Sequence, residues 1–206
     1  MSRLRFQNRR GFSLVELMVV VMIILAIAAI MVPKIVTMLS DYNLKSTMGQ
    51  AAGMLQQQRM QAVRLNSTLQ VSTGTQNGRT IAWVDIPGGT ANSWDSGEPF
   101  IEFPKNITVQ NSSFPGDATT GLGYSAQTPS SATIKFNARG LPCIVPSGGV
   151  ASQCSNFDSA NNKQVGFVVY FRNTGSFGVP SWGAITIAPG GRIRSWFYNG
   201  SAYSPM

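Results

Sequence analysis

Histidine is absent from this chain of 206 residues. Without an imidazole, neither a Ser/His/Asp nor a Cys/His nucleophilic arrangement can be assembled. Cysteine is nearly absent as well, with Cys143 and Cys154 alone. One cysteine pair and no histidine cannot supply the four nitrogen or sulfur ligands of a structural zinc site. Charge is scarce too: Asp, Glu, Lys and Arg make up 12% of the chain, against about a quarter in soluble domains. Gly, Pro, Ser, Thr and Asn take their place, as in loop-rich β-structure exported from the cell. Neither an enzyme nor a bound cofactor is expected. Gly121-Leu122-Gly123-Tyr124-Ser125-Ala126 follows a Gly-x-Gly-x-x-Ala pattern, but no strand precedes it and Pro129 stands where a helix should run. Asp95, Glu98 and Glu102 offer hard oxygen ligands, yet their spacing fits no calcium loop. The sequons at Asn66, Asn106, Asn111 and Asn199 mark these segments only as polar.

Acids are outnumbered, eight to sixteen. From Lys135 onward the imbalance grows: Lys135, Arg139, Lys163, Arg172, Arg192 and Arg194 stand against Asp158 alone. Such a half favours phosphate, an anionic surface or an acidic neighbour. The two cysteines, with ten residues between them, lie in a Pro/Gly/Ser-rich segment. In an exported chain they are expected to form one disulfide.

Polar side chains are missing altogether from Leu17 to Val32, sixteen residues closed by Pro33. Such a run will not stay in water. Glu16 stands just ahead of it, and a charged side chain inside a membrane helix costs roughly 2.5–3.5 kcal/mol on insertion scales. It therefore needs a water layer or a partner charge. Met1–Arg10 carries Arg3, Arg5, Arg9 and Arg10 and no acid, which keeps it on the cytoplasmic side. Cutting after Gly11 would free an amine on Phe12, one helical turn before the Glu16 carboxylate. Neighbouring copies could pair these charges inside an apolar bundle and so fix their axial register. Removing the leader also lowers the excess of basic over acidic residues from eight to four.

A short basic leader, then Gly11-Phe12-Ser13-Leu14-Val15-Glu16-Leu17, then an apolar helix with Pro33, resembles the class III signal of type IV pilins and type II secretion pseudopilins. The resemblance implies cleavage between Gly11 and Phe12 by prepilin peptidase, N-methylation of Phe12, and assembly through Glu16. It also implies a subunit held in bacterial inner-membrane lipid by a single pass, with a periplasmic C-terminal domain. An inner-membrane assembly machine would then extract it into a filament with other pilin or pseudopilin subunits. Two rival readings use the same residues. An ordinary secretory signal would be cut at Ala26-Ile27-Ala28, which puts Glu16 inside its apolar core. A twin-arginine signal is suggested by Arg9-Arg10, but that pathway usually carries cofactor proteins.

From Lys34 to about Asn66 apolar residues recur at helical spacing: Ile35, Met38/Leu39, Tyr42, Met48, Ala51/Ala52, Leu55, Ala62/Val63. Gln56, Gln57, Gln58, Arg59 and Arg64 read as the outer face, and the apolar stripe is expected to pack under a sheet. Pro33 should kink or loosen this helix, and Gly49 and Gly53 should weaken it. After Asn66 the period becomes two, giving strands at 68–73, 79–84, 100–103, 107–110, 133–136, 165–172, 184–188 and 192–198. Asn77-Gly78 and Ala188-Pro189-Gly190-Gly191 are turn signals. The stretches 87–99, 112–131 and 143–162 read as loops. The expectation is an α+β pilin fold, a long N-terminal membrane-spanning helix packed on an antiparallel β-sheet domain. Its segments are a leader 1–11, a helix 12–66 (12–33 transmembrane, 34–66 amphipathic) and a β-domain 67–206.

Phe136-Asn137-Ala138-Arg139-Gly140, then a strand, then Ala184–Ile187 turning into Gly191-Arg192-Ile193-Arg194, resembles the GspH/FimT pseudopilin and minor pilin domain. That resemblance implies a minor role near a tip or in initiation. On the last strand Arg192, Arg194, Trp196 and Tyr198 share one face, and Ile193, Ser195 and Phe197 the other. The second face suits a core. The first combines cations with flat rings, as a nucleic-acid surface does. In FimT-like minor pilins a Gly-Arg-x-Arg element is associated with DNA binding, and Gly191, Arg192 and Arg194 match it. The other reading of that face is an edge strand whose charges block sheet-to-sheet aggregation, or a contact to the next subunit.

Overall fold

The computed structural model describes residues 12–85, 90, 93–110, 113–116, 118, 124–127, 133–145, 154–175 and 180–206. Gly11, the leader, Gly121–Gly123 and most of the stretch between the cysteines lie outside them. One helix, α1, runs from Leu14 to Leu65, 52 residues without a break at Pro33. Pro33 thus removes one backbone hydrogen bond without ending the helix. Asn66 closes it in the left-handed conformation (φ 48°), its N–H donating to the Val63 carbonyl while Ser67 N–H reaches Ala62. This pair of bonds is the Schellman arrangement, which satisfies carbonyls the helix end would leave orphaned.

Among the described residues twelve short or medium strands follow. They are β1 Leu69–Gln76, β2 Arg79–Asp85, β3 Phe100–Glu102, β4 Ile107–Gln110, β5 Ser125–Gln127, β6 Thr133–Phe136, β7 Pro142–Cys143, β8 Phe157–Asp158, β9 Lys163–Asn173, β10 Ser181–Ile187, β11 Ile193–Tyr198 and β12 Tyr203–Pro205. They form two sheets rather than one. The smaller has the order β3-β2-β1-β6-β7; the larger has β12-β11-β10-β9-β4, with β5 and β8 also paired to β9. Every pairing is antiparallel except β5 with β9. The architecture is α+β, a long apolar N-terminal helix packed on antiparallel sheets, as in the pilin fold.

The turn signals act where expected. Asn77 (φ 51°) and Gly78 (φ 74°) join β1 to β2 with Gln76 opposite Arg79, the two positive φ values that a type I′ hairpin demands. Four strands lie outside those expected: β5 and β8 fall within segments read as loops, β7 straddles the start of one, and β12 follows the last expected strand. Each has only two or three residues, too few for alternation to show, and β12 carries a proline at a sheet edge, where a missing N–H costs no ladder bond.

Val165, Phe167, Val169 and Phe171 of β9, with Ile185 and Ile187 of β10, form one apolar face. Leu44, Met48, Ala51, Leu55 and Ala62 of α1 pack on it, together with Leu69, Val71 and Phe136 from the smaller sheet. Each fully buried Leu, Ile or Phe contributes about 1.5–3 kcal/mol relative to exposure. Two expectations about α1 are corrected here. Gln58 is not on the outer face but 1% exposed, and Arg59 turns toward the sheets. Ile35, Met38, Leu39 and Tyr42, expected under the sheet, are exposed instead. The domain first meets the helix at Ser40, whose carbonyl and hydroxyl accept bonds from Asn173 Nδ2 at 2.8 and 2.9 Å. Before Ser40 only Val36 and Thr37 face the domain, across a cavity lined by Pro180, Trp182 and Tyr198, and Ile35, Met38 and Leu39 point away from it.

Candidate functional site: an exposed apolar helix and an arginine-held hairpin

The first turns of α1 carry the processing and assembly candidates. Phe12 is 75% exposed and Glu16 lies in the first helical turn. Three residues lie between them, and Ser13, the extended residue ahead of α1, keeps Phe12 outside the helix itself. Gly11 lies outside the described residues. No residue in the most apolar 18-residue window of α1 is buried, and the helix is long and apolar enough to cross a membrane. Pro33 sits within the same continuous helix.

The other candidates gather around one side chain that periodicity did not single out. Arg59 Nε donates to the Gly140 carbonyl at 3.0 Å, and Nη1 to the Gly191 carbonyl at 3.0 Å. Nη2 lies 3.4 Å from the Gly190 carbonyl. One guanidinium therefore joins α1 to the turn after β6 and to the hairpin between β10 and β11. Both turns need glycine. Gly140 (φ 71°) and Gly191 (φ 78°) are left-handed, and a Cβ on Gly191 would stand 2.7 Å from Arg59 Nε and 2.9 Å from the Gly140 carbonyl oxygen. The two short motifs of the C-terminal half are thus adjacent in space. A sequence signal existed: position 59 follows Gln58 and borders the buried stripe of Leu55, Gln58 and Ala62. A polar run from Gln56 onward hid it.

Strand β11 divides its side chains as alternation requires. Ile193 and Phe197 pack on the main core. Arg194 is exposed, while Trp196 and Tyr198 are half-buried. Trp196 joins a second cluster with Val168, Tyr170 and Ala184, and its Nε1–H donates to Thr186 Oγ1 at 2.8 Å. Tyr198 stands with its ring 5.2 Å from that of Tyr203 and its hydroxyl donating to the Gly200 carbonyl at 3.0 Å. Both rings already have partners within the fold. Arg192, before the strand, is exposed and lines a groove of about 580 Å³ with Gln56, Arg59, Met60, Val63 and Ile193. Arg194 instead lies near Tyr124. Burial pushes the Tyr124 phenol up, opposed by its bond with Thr186 and by the Arg194 charge.

Cys143 and Cys154 are joined, with Cα atoms 5.4 Å apart. The next residues, Ile144 and Ser155, exchange backbone bonds of 2.8 and 2.9 Å. The acidic trio is not gathered: Glu102 pairs with Arg79 at 2.7 Å, while Glu98 accepts from Asp95 N–H within its own loop.

Residues 6–32 match the family described as Prokaryotic N-terminal methylation motif. No curated protein and no solved structure matches the chain significantly. The match runs from the second half of the leader through the Gly11-Phe12 region to the end of the apolar run. It supports a type IV pilin-like protein, which implies processing by prepilin peptidase and assembly with other pilins.

Proposed function

We propose that the chain is a filament subunit, a minor pilin or pseudopilin assembled into a type IV pilus or type II secretion pseudopilus with a tip or initiation role. In this reading the peptidase cuts between Gly11 and Phe12, Phe12 is methylated, and Glu16 stands opposite the Phe12 amine of an adjoining subunit. The mature subunit waits in the inner membrane with its β-domain in the periplasm. The observation that carries the reading is the outward side of α1 beyond the membrane run. Met38, Tyr42 and Met60 are 68%, 69% and 66% exposed, and a Cβ at Gly49 or Gly53 would meet nothing within 4 Å. A helix whose far side is apolar and open has only half its burial from its own domain, and other subunits would supply the rest.

Glu16→Ala tests this. Membrane insertion should be kept while incorporation into filaments is lost, and normal incorporation refutes the role of Glu16. The intact mass of membrane-extracted protein is a second check: a methylated Phe12 start is expected, and an Ala29 start would favour an ordinary signal peptide.

A second reading, capture of DNA during uptake, draws support from the exposed Arg192 and Arg194. Removing both arginines from the detergent-solubilised chain should weaken binding to duplex DNA and flatten its salt dependence. Unchanged binding removes this reading.

A further inference from the structure

The end of the domain nearest the apolar run holds a cavity of about 410 Å³. Thr37 and Asp41 of α1 stand on one side of it, and Pro180, Trp182, Phe197 and Tyr198 on the other. Asp41 is the single acid of this lining and the only acid of α1 after Glu16. It is half-buried, and no hydrogen bond or ion pair holds it among the described residues. Two neighbouring bases are turned to rings of the cavity instead. Lys45 lies 4.6 Å from the Phe197 ring, and Arg172 lies 5.5 Å from that of Trp182. With bases this close, an occupant that is cationic alone is disfavoured. A group that carries an anion as well as a cation suits the charges better.

The depth of the cavity says what such a group could be. About twenty residues of helix cross the hydrocarbon core of a bilayer, so from Phe12 the membrane segment ends near Val32. Thr37 and Asp41 then stand about 8 and 14 Å further along the helix. A polar headgroup layer adds about 5–8 Å on each side of the hydrocarbon, so the cavity opens at its outer boundary. Lys34, exposed, falls within the layer. Positions 34, 37 and 41 share one helix face, and their side chains tilt back toward the helix N-terminus, which is toward the bilayer. Moving outward along this face, a base comes first and an acid beside aromatic rings comes second. A zwitterionic phospholipid presents the opposite charges in the same order, phosphate inside and ammonium outside.

We propose that this cavity takes the headgroup of an aminophospholipid, with the phosphate at Lys34 and the ammonium at Asp41 beside the Trp182 and Tyr198 rings. Aromatic rings attract cations, and Trp and Tyr are the residues enriched at headgroup level. An anionic headgroup bearing only hydroxyls would meet Lys34 equally well, but it would bring a net negative charge to Asp41. This inference rests on the membrane-resting state in the proposed function and not on the minor role. It adds a ligand for that state, one the subunit gives up when it leaves the bilayer.

The test uses the full chain in detergent, with dioleoyl phosphatidylethanolamine or dioleoyl phosphatidylglycerol added and binding read by native mass spectrometry. The two lipids have the same chains, so the ratio of their affinities reads the headgroup. Asp41→Asn should lower the ethanolamine-to-glycerol ratio about five- to tenfold, because one lipid loses an ion pair and the other loses a repulsion. Asp41→Glu keeps the charge and should keep the ratio. Lys34→Gln should weaken both lipids alike, through the phosphate they share, and leave the ratio unchanged. A ratio that does not respond to Asp41→Asn, or that falls as far with Asp41→Glu, overturns the site. Alkaline carbonate extraction of cell membranes reports the anchored state by itself. A chain that stays in the membrane pellet without an Asp41-dependent ratio loses the headgroup site alone, and a chain released from the pellet loses both readings.

Discussion

Arg59→Ala should destabilise the domain through two lost hydrogen bonds rather than through lost packing. The bonds to the Gly140 and Gly191 carbonyls are 3.0 Å each and part-buried; the contact to Gly190, at 3.4 Å and exposed, adds little. A hydrogen bond from a charged donor contributes about 1.5–3 kcal/mol when desolvated. Partial exposure puts these at the lower end, so the pair should contribute about 2–3 kcal/mol. For a domain of this size that is a fall in Tm of about 4–10 °C, readable by near-ultraviolet circular dichroism in detergent. Arg59→Lys separates charge from geometry. An ammonium keeps the charge but cannot span two carbonyls as the planar fork does, so it should recover less than half of the loss. A Tm for Arg59→Ala within about 1 °C of the parent, or full recovery by lysine, would refute the account of Arg59 as a two-turn tie.

Gly183→Ala should also destabilise, because its Cβ would stand 2.2 Å from Met48 Sδ and 3.2 Å from the Trp196 carbonyl. Forcing an extra methyl into a filled core costs about 1–3 kcal/mol. The double change with Met48→Ala should recover part of the added strain in a thermal-melt cycle, and strict additivity would count against the clash. The Tyr124 phenol has its folded pKa raised above 10.0. The unfolded state therefore releases this proton first as pH rises, and stability should fall above about pH 10. Tyr124→Phe should flatten that limb of a pH–stability curve, and an unchanged slope would contradict the burial effect.

Long elements were legible because repetition accumulates. The apolar run and the 3.6-residue stripe announced α1, and β4 and β6 fell within the expected bounds because both alternate cleanly between turns. The partition of β11 followed from period two alone. What periodicity could not give was where the helix meets its domain. Ile35, Met38 and Tyr42 have the same spacing as Met48, Leu55 and Ala62, and only the lengths of β9 and β10 decide that burial starts near Ser40. The two-residue strands were invisible for a different reason. Cys143 and Phe157 owe their pairing to partners on β6 and β9, so tertiary contact and not local preference makes them strands. Arg59 is the clearest omission. A long charged side chain at the edge of a buried stripe is usually solvated, and what draws this one inward is a pair of carbonyls some 80 and 130 residues away.

The same tie changes what mutations in the C-terminal half can reveal. Of the residues that resemble a DNA-binding element, Gly191 is required by its positive φ and by the approach of Arg59 and the Gly140 carbonyl. Trp196 is required by the second apolar cluster and its bond to Thr186, and Tyr198 packs on Tyr203. Substituting any of these three perturbs the fold first, so a loss of DNA affinity there would say nothing about contact. Arg192 and Arg194 are different, since both are exposed and neither is in an ion pair among the described residues. They also sit apart, one beside α1 and the other by Tyr124. Each should therefore be changed singly: a nucleic-acid surface built on the pair loses affinity with either change, and unchanged DNA binding in both counts against it.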